Sequence, residues 1–225
     1  MQHGKALLAT ALLLSVNTIT AQATVTAVDN GLGIYESGTN VTWTSDANLL
    51  GTLETNQGYT SVINAIIQAN NRVVQTINGT HDLVDADFNV NGTADWWGAQ
   101  AFVGYLNSIV YGNSDQWVLP TNTVTLYGQA YNATPSGISS SILVANRSDS
   151  GYWSSTVSNY SFYPNSAWAF TGWFNSQSYA TMDHQYLVWA ISPGVVAAPV
   201  PVPAAIWLFS SVLLGIGLIG KRRAA

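Results

Sequence analysis

Two stretches of the chain repeat hydrophobic residues at intervals of three or four, which is the period of an amphipathic helix. The first stretch carries Val62, Ile66, Ala69, Val73 and Ile77. Thr60 or Ser61 can cap its start, and Asn78-Gly79 can stop it. The second stretch follows Asp95, a suitable N-cap, and ends before Gly112; it carries Trp96, Ala99, Phe102, Val103 and Leu106. The pattern therefore predicts two helices.

Alternating polar and apolar residues predict strands elsewhere. Residues 32–46 alternate around Gly38-Thr39-Asn40 and predict a hairpin. Beyond Pro120 the helical period is lost, and three short strands are expected at 152–156, 167–173 and 186–191. Helices followed by strands, without βαβ alternation, predict an α+β domain.

Both ends of the chain differ from its middle. Lys5, an apolar run over 6–16 and an Ala21-Gln22-Ala23 site predict a signal peptide over residues 1–23. Near the other end, an apolar run over 204–220 would span about 25 Å as a helix. The basic tail that follows, Lys221, Arg222 and Arg223, should stay cytoplasmic, so residues 24–198 form an exported domain.

Residues 199–225 also contain a specific motif. The positions that carry it are Val200, Pro201, Pro203, Ala204, Ala205, Trp207, Leu208 and Phe209. This ending resembles the PEP-CTERM sorting signals of Gram-negative bacteria that make exopolysaccharide, in the variant VPxPAAxWLF. The resemblance implies that the inner membrane holds the tail until an exosortase removes it, leaving the domain at the cell surface or secreted. An ordinary membrane anchor is the alternative.

A second resemblance covers about residues 31–194. It rests on the segments GYWSST, SAWAF and VWAISPG, and on Ser114-Asp115 followed by a Leu-Pro-Thr sequence. Its landmark residues are Trp96, Asp115, Trp117, Leu119, Pro120, Tyr152, Trp153, Trp168 and Trp189. The segment is similar to the Lcl C-terminal-type domain of unknown function. That implies a compact C-type-lectin-like domain with two helices and a twisted antiparallel sheet. Val118 and Ser192 stand where that family carries arginine, so any contact made by those guanidinium groups is missing.

Charge and cysteine content exclude several function classes. Between residues 24 and 198 the lysine and arginine residues are only Arg72 and Arg147, against all eleven acidic residues of the chain. Nucleic-acid binding depends on clustered Lys and Arg, so nucleic acid is not an expected partner. Cysteine is absent, which excludes disulfides, thiol catalysis and thiolate metal sites.

The densest group of possible metal ligands lies between His81 and Asp95. Asp87, Asn89, Asn91 and Asp95 fit positions 1, 3, 5 and 9 of a calcium-binding loop. Gly98 stands at position 12, where such loops place a bidentate Glu. The alternative is a polar loop of Asx turns in which Asp95 caps the following helix.

No recognised catalytic motif is present. His81 and His184 are the histidines of the exported domain, and no nucleophile, metalloprotease or phosphate-loop signature accompanies them. We therefore expect a non-enzymatic protein without an obligatory cofactor that binds carbohydrate or other matrix components through exposed aromatic and amide side chains. A secreted glycoside hydrolase acting on matrix polysaccharide and a purely structural matrix protein are the alternatives.

Overall fold

The computed structural model describes residues 25–121, 144–148, 150–158, 162, 164–171 and 176–196. The predicted signal peptide, the sorting motif and the predicted membrane helix over 204–220 lie outside these residues. Within the described part of the chain, no helix is long and apolar enough to cross a membrane.

The described residues form three helices and twelve strands. The helices are α1 (Leu49–Gln57), α2 (Tyr59–Ala69) and α3 (Trp96–Ser108). The first seven strands are β1 (Val25–Val28), β2 (Gly33–Glu36), β3 (Val41–Thr44), β4 (Val73–Thr76), β5 (Gly79–Asp82), β6 (Phe88–Asn89) and β7 (Thr93–Ala94). The others are β8 (Gly151–Val157), β9 (Ser166–Thr171), β10 (Ser176–Thr181), β11 (Tyr186–Leu187) and β12 (Ile191–Pro193).

The strands form three sheets with the orders β1-β2-β3-β12, β10-β9-β8-β11-β7-β6 and β4-β5. Pairing is mostly antiparallel, although β11 runs parallel to β8. The α+β class predicted from the sequence is therefore confirmed. The predicted hairpin is also confirmed as β2 and β3, in which Ile34 pairs with Trp43. The single predicted strand over 186–191 is two strands, β11 and β12, which belong to different sheets.

The predicted helix that contained Val73 and Ile77 is wrong in its second half. Helix α2 ends at Ala69, and Asn71 and Arg72 adopt positive φ angles of 52° and 65°, which turn the chain back. Val73 then begins the β4–β5 hairpin. Ile77 is 99% exposed at the tip of that hairpin. Although it follows Val73 at a helical spacing, the two residues do not share a buried helix face.

Helix α1 was not predicted, so the described residues contain three helices and not the expected two. Its buried side chains are Leu49, Leu50 and Glu54, and this set lacks a continuous apolar stripe. Asn48 caps α1 by accepting a hydrogen bond from the Gly51 N–H at 3.2 Å. Gly58, with φ of 87°, separates α1 from α2, so no side-chain cap forms at Thr60 or Ser61.

Helix α3 starts where the sequence predicted. The Asp95 carboxylate accepts a hydrogen bond from the Gly98 N–H at 2.7 Å, which satisfies one of the backbone donors at the helix start. The predicted stripe is buried from Trp96 to Leu106. This helix packs between α2 and the six-stranded sheet.

Buried tryptophans join the sheets and helices. The indole groups of Trp43, Trp96, Trp117, Trp153 and Trp189 are all buried. Trp96 donates to the Ser154 carbonyl at 2.9 Å, and Trp153 donates to the Ala94 carbonyl at 2.8 Å. These two bonds connect β8 to the β7–α3 junction.

We expect Trp189→Phe to lower the free energy of unfolding by about 1 to 3 kcal/mol. The substitution removes the indole hydrogen bond to the Thr44 carbonyl, which measures 2.8 Å, and leaves a gap beside Trp43 and Tyr152. Urea unfolding measures the change. Trp168→Phe is the control, since Trp168 is only half-buried against Tyr179, and an equal loss in both variants would contradict the prediction.

Candidate functional site

A short hairpin brings two acidic residues together. Strands β6 and β7 pair Phe88 with Ala94, and Gly92 has φ of 78° between the strands. Asp87 and Asp95 flank this hairpin, so the same register places them opposite each other. The Asp95 N–H donates to the Asp87 carbonyl at 2.8 Å, which fixes the pair through the backbone.

His81 completes a three-residue cluster with Asp87 and Asp95. It lies on β5, and its Nε2 atom is 3.1 Å from each carboxylate oxygen of Asp87. One atom from each of the three side chains lies within 4.8 Å of the others, a spacing that could hold a metal ion. The His81 ring also stacks on Trp97, with ring centres 5.2 Å apart and planes 10° apart.

Both carboxylates of the cluster are buried. Asp87 is 4% exposed and Asp95 is 7% exposed. Burial raises the pKa of Asp95 to about 7, and the neighbouring charge of Asp87 adds to this, whereas the Gly98 N–H and His81 oppose it. The cluster therefore holds two carboxylates away from solvent, and the His81 imidazole contacts one of them.

A cleft of about 440 Å³ opens onto the cluster. Its walls come from β5, the start of α3 and the ends of β9 and β10, and consist of His81, Asp95, Trp97, Pro164, Asn165, Thr181, Met182 and Asp183. Backbone bonds hold the walls together: the Trp96 N–H donates to the Met182 carbonyl, and the Met182 N–H donates to the Asn165 carbonyl. We call this the Trp97 cleft.

A second groove, of about 510 Å³, lies beside α1 and is rich in amide and hydroxyl groups. Several of these groups already bind one another. Asn48 donates to the Asn91 carbonyl at 3.1 Å, and Asn146 donates to Asp46 and Thr52. No aromatic ring from the described part of the chain lines this groove, so it offers less to a sugar ring than the Trp97 cleft does.

The four predicted calcium ligands divide into two pairs. Asp87 and Asp95 lie together in the cluster. The Asn89 side chain accepts from the Val90 N–H at 2.9 Å, and that of Asn91 accepts from the Thr93 N–H at 3.2 Å. These are local Asx-type bonds. His81 was not predicted as a ligand, because a calcium loop takes oxygen ligands and spacing along the chain does not show that the β4–β5 hairpin brings this imidazole to Asp87.

Most of the landmark residues lie in the core. Besides Trp96 and Trp153, Trp117, Leu119, Pro120, Tyr152 and Trp189 are buried. Trp168 is half-buried, and Asp115 is exposed and accepts a hydrogen bond from Gln116. Ser192, at one of the two positions where arginine was expected, is buried and lies 2.7 Å from the Ser114 hydroxyl. These residues support the fold and do not line the Trp97 cleft.

Known proteins provide no template for this cleft. No protein-family model matches the chain, and neither does any curated protein or solved structure. The two resemblances drawn from sequence motifs therefore stay predictions.

Glu54 of α1 holds the β6–β7 hairpin from the other side. Its Oε2 atom accepts a hydrogen bond from the Gly92 N–H at 3.0 Å, and its Oε1 atom is buried without a hydrogen-bond partner among the described residues. Burial raises the pKa of Glu54 to about 7, partly opposed by the bond from Gly92. The folded protein therefore binds the Glu54 proton more tightly than the unfolded chain does.

We expect the stability supplied by protonated Glu54 to be complete below its ordinary pKa of 4.5 and to be lost as the pH rises to about 7. Glu54→Gln cannot ionise and retains an acceptor for Gly92. It should exceed the native protein in stability by about 1 to 3 kcal/mol near pH 8 and by much less near pH 5. Urea unfolding at both pH values measures this, and a pH-independent difference would contradict the prediction.

Proposed function

We propose that this protein is exported and that its domain binds neutral carbohydrate of the extracellular matrix in the Trp97 cleft. The observation that supports this most is the half-buried indole of Trp97, which lies on the cleft wall and is held parallel to the His81 ring. A pyranose ring has an apolar C–H face that packs on such an indole.

The other cleft residues suit the hydroxyl groups of a sugar. Asp183 provides carboxylate oxygens, Asn165 provides an amide, and Thr181 provides a hydroxyl. The volume of about 440 Å³ lies within the usual range of small-molecule sites, about 300 to 1,000 Å³. Among the residues that the structure describes, no lysine or arginine lines the cleft, which favours a neutral ligand over a phosphorylated or sulfated one.

The two ends of the sequence support an extracellular location for this binding activity. A signal peptide over residues 1–23 would direct export, and the sorting motif would make exosortase and the inner membrane transient partners. The C-type-lectin-like architecture implied by the second resemblance is part of the same proposal. Its support is the α+β arrangement of short antiparallel strands around α2 and α3.

A glycan array probed with the native chain and with Trp97→Ala tests the binding. We expect neutral glycans to bind the native chain. Trp97→Ala should bind the same glycans at least tenfold more weakly, a loss of about 1.4 kcal/mol in binding free energy. Thr55→Ala in the other groove is the control and should bind normally. Asp183→Ala is a second probe if Trp97→Ala misfolds. Failure of the native chain to bind any glycan contradicts the proposal, and shortened glycan products would indicate the hydrolase instead.

Processing is tested by expressing the chain with an active exosortase and, as a control, with an inactive one. We expect the released form to lack residues 204–225, because the Pro-x-Pro-Ala-Ala motif precedes the apolar run. Intact-mass measurement decides the matter. A released form that retains Trp207 and Lys221 contradicts cleavage.

A further inference from the structure

The cluster of His81, Asp87 and Asp95 has the composition and spacing of a metal site. We propose that these three side chains bind a divalent transition-metal cation of the Zn²⁺ class, with one coordination position open to the Trp97 cleft. The site differs from the calcium loop expected from the sequence, because it uses His81 and neither Asn89 nor Asn91. It does not depend on whether the cleft binds carbohydrate.

The distances suit a shared ion. Ligand atoms about 2.0 to 2.1 Å from a tetrahedral Zn²⁺ lie about 3.3 Å from one another. His81 Nε2 is 3.1 Å from both carboxylate oxygens of Asp87, and the Asp95 carboxylate lies within 4.8 Å of both partners. A small rotation of the Asp95 side chain would therefore complete a three-ligand site.

Neighbouring groups already orient the three ligands. The Val84 N–H donates to one oxygen of Asp87 at 2.9 Å, and the Gly98 N–H donates to one oxygen of Asp95 at 2.7 Å. The parallel ring of Trp97 restricts rotation of the His81 imidazole. Such contacts with ligand side chains fix their direction and strengthen metal binding in known sites.

Charge balance also favours a cation. Asp87 and Asp95 are both more than nine-tenths buried and lie close together. A single His81 can offset at most one of the two negative charges. A divalent cation bound by a neutral imidazole and two carboxylates gives a site without net charge, which removes the repulsion between the carboxylates.

The ligand types select the metal. Calcium takes six to eight oxygen ligands, whereas this cluster offers one imidazole nitrogen and at most four carboxylate oxygens. Imidazole suits zinc and neighbouring transition metals. Because His81 and Asp95 also line the Trp97 cleft, the remaining position would face water or a ligand oxygen there. Three protein ligands with one open position are typical of zinc sites that exchange their fourth ligand.

The test uses the full chain in detergent, without a histidine tag and stripped of metal by a chelator. Isothermal titration with Zn²⁺, metal analysis and the visible absorption of bound Co²⁺ give stoichiometry, affinity and coordination. We expect one bound ion per chain and a higher melting temperature with Zn²⁺. His81→Ala and Asp95→Asn should each weaken binding by about tenfold or more.

Two variants separate metal binding from stability. Asp95→Asn keeps a good helix cap, so its loss of affinity cannot be attributed to unwinding of α3. His184→Ala removes the other histidine of the exported domain, which is exposed and lies outside the cluster, and should bind Zn²⁺ like the native chain. Absence of Zn²⁺ binding by the native chain overturns the inference. Binding that is unchanged in both His81→Ala and Asp95→Asn, or binding of Ca²⁺ alone, overturns it as well.

Discussion

A buried indole N–H needs an acceptor, and this requirement organises the structure. The chain has no cysteine, so distant segments cannot be joined by disulfides. Two reciprocal hydrogen bonds join such segments instead. Trp96 donates to the carbonyl of Ser154, which follows Trp153, and Trp153 donates to the carbonyl of Ala94, which lies two residues before Trp96. Trp189 likewise reaches the Thr44 carbonyl, 145 residues earlier. Each bond combines burial of a large ring with a directional link between strands.

The same bonds position the candidate site. The pair formed by Trp96 and Trp153 fixes the junction between β7 and α3, where Asp95 and Trp97 lie. Trp96 enters the core, while Trp97 remains half-buried and stacks on His81 from another hairpin. The cleft wall thus extends directly from the core, which limits the rotational freedom of the Trp97 and His81 side chains.

Burial makes ionisation of Glu54 and Asp95, on either side of the β6–β7 hairpin, unfavourable in the folded protein. Glu54 holds the hairpin from one side, and Asp87 and Asp95 flank its ends. Burial raises the pKa of both Glu54 and Asp95 to about 7. An arrangement that destabilises the fold when ionised is common at binding sites and catalytic sites, although structural networks also produce it.

Local patterns in the sequence determined the α+β class, the β2–β3 hairpin and helix α3, because apolar periodicity and the Asp95 cap act within a few residues. They did not locate the end of α2, since Val73 and Ile77 continue the helical period by coincidence and the turn depends on positive φ angles at Asn71 and Arg72. Spacing along the chain suggested a calcium loop and brought Asp87 and Asp95 into consideration. Only the tertiary structure added His81 and Trp97, because strand pairing and helix packing, which act between distant segments, decide which side chains share a cleft.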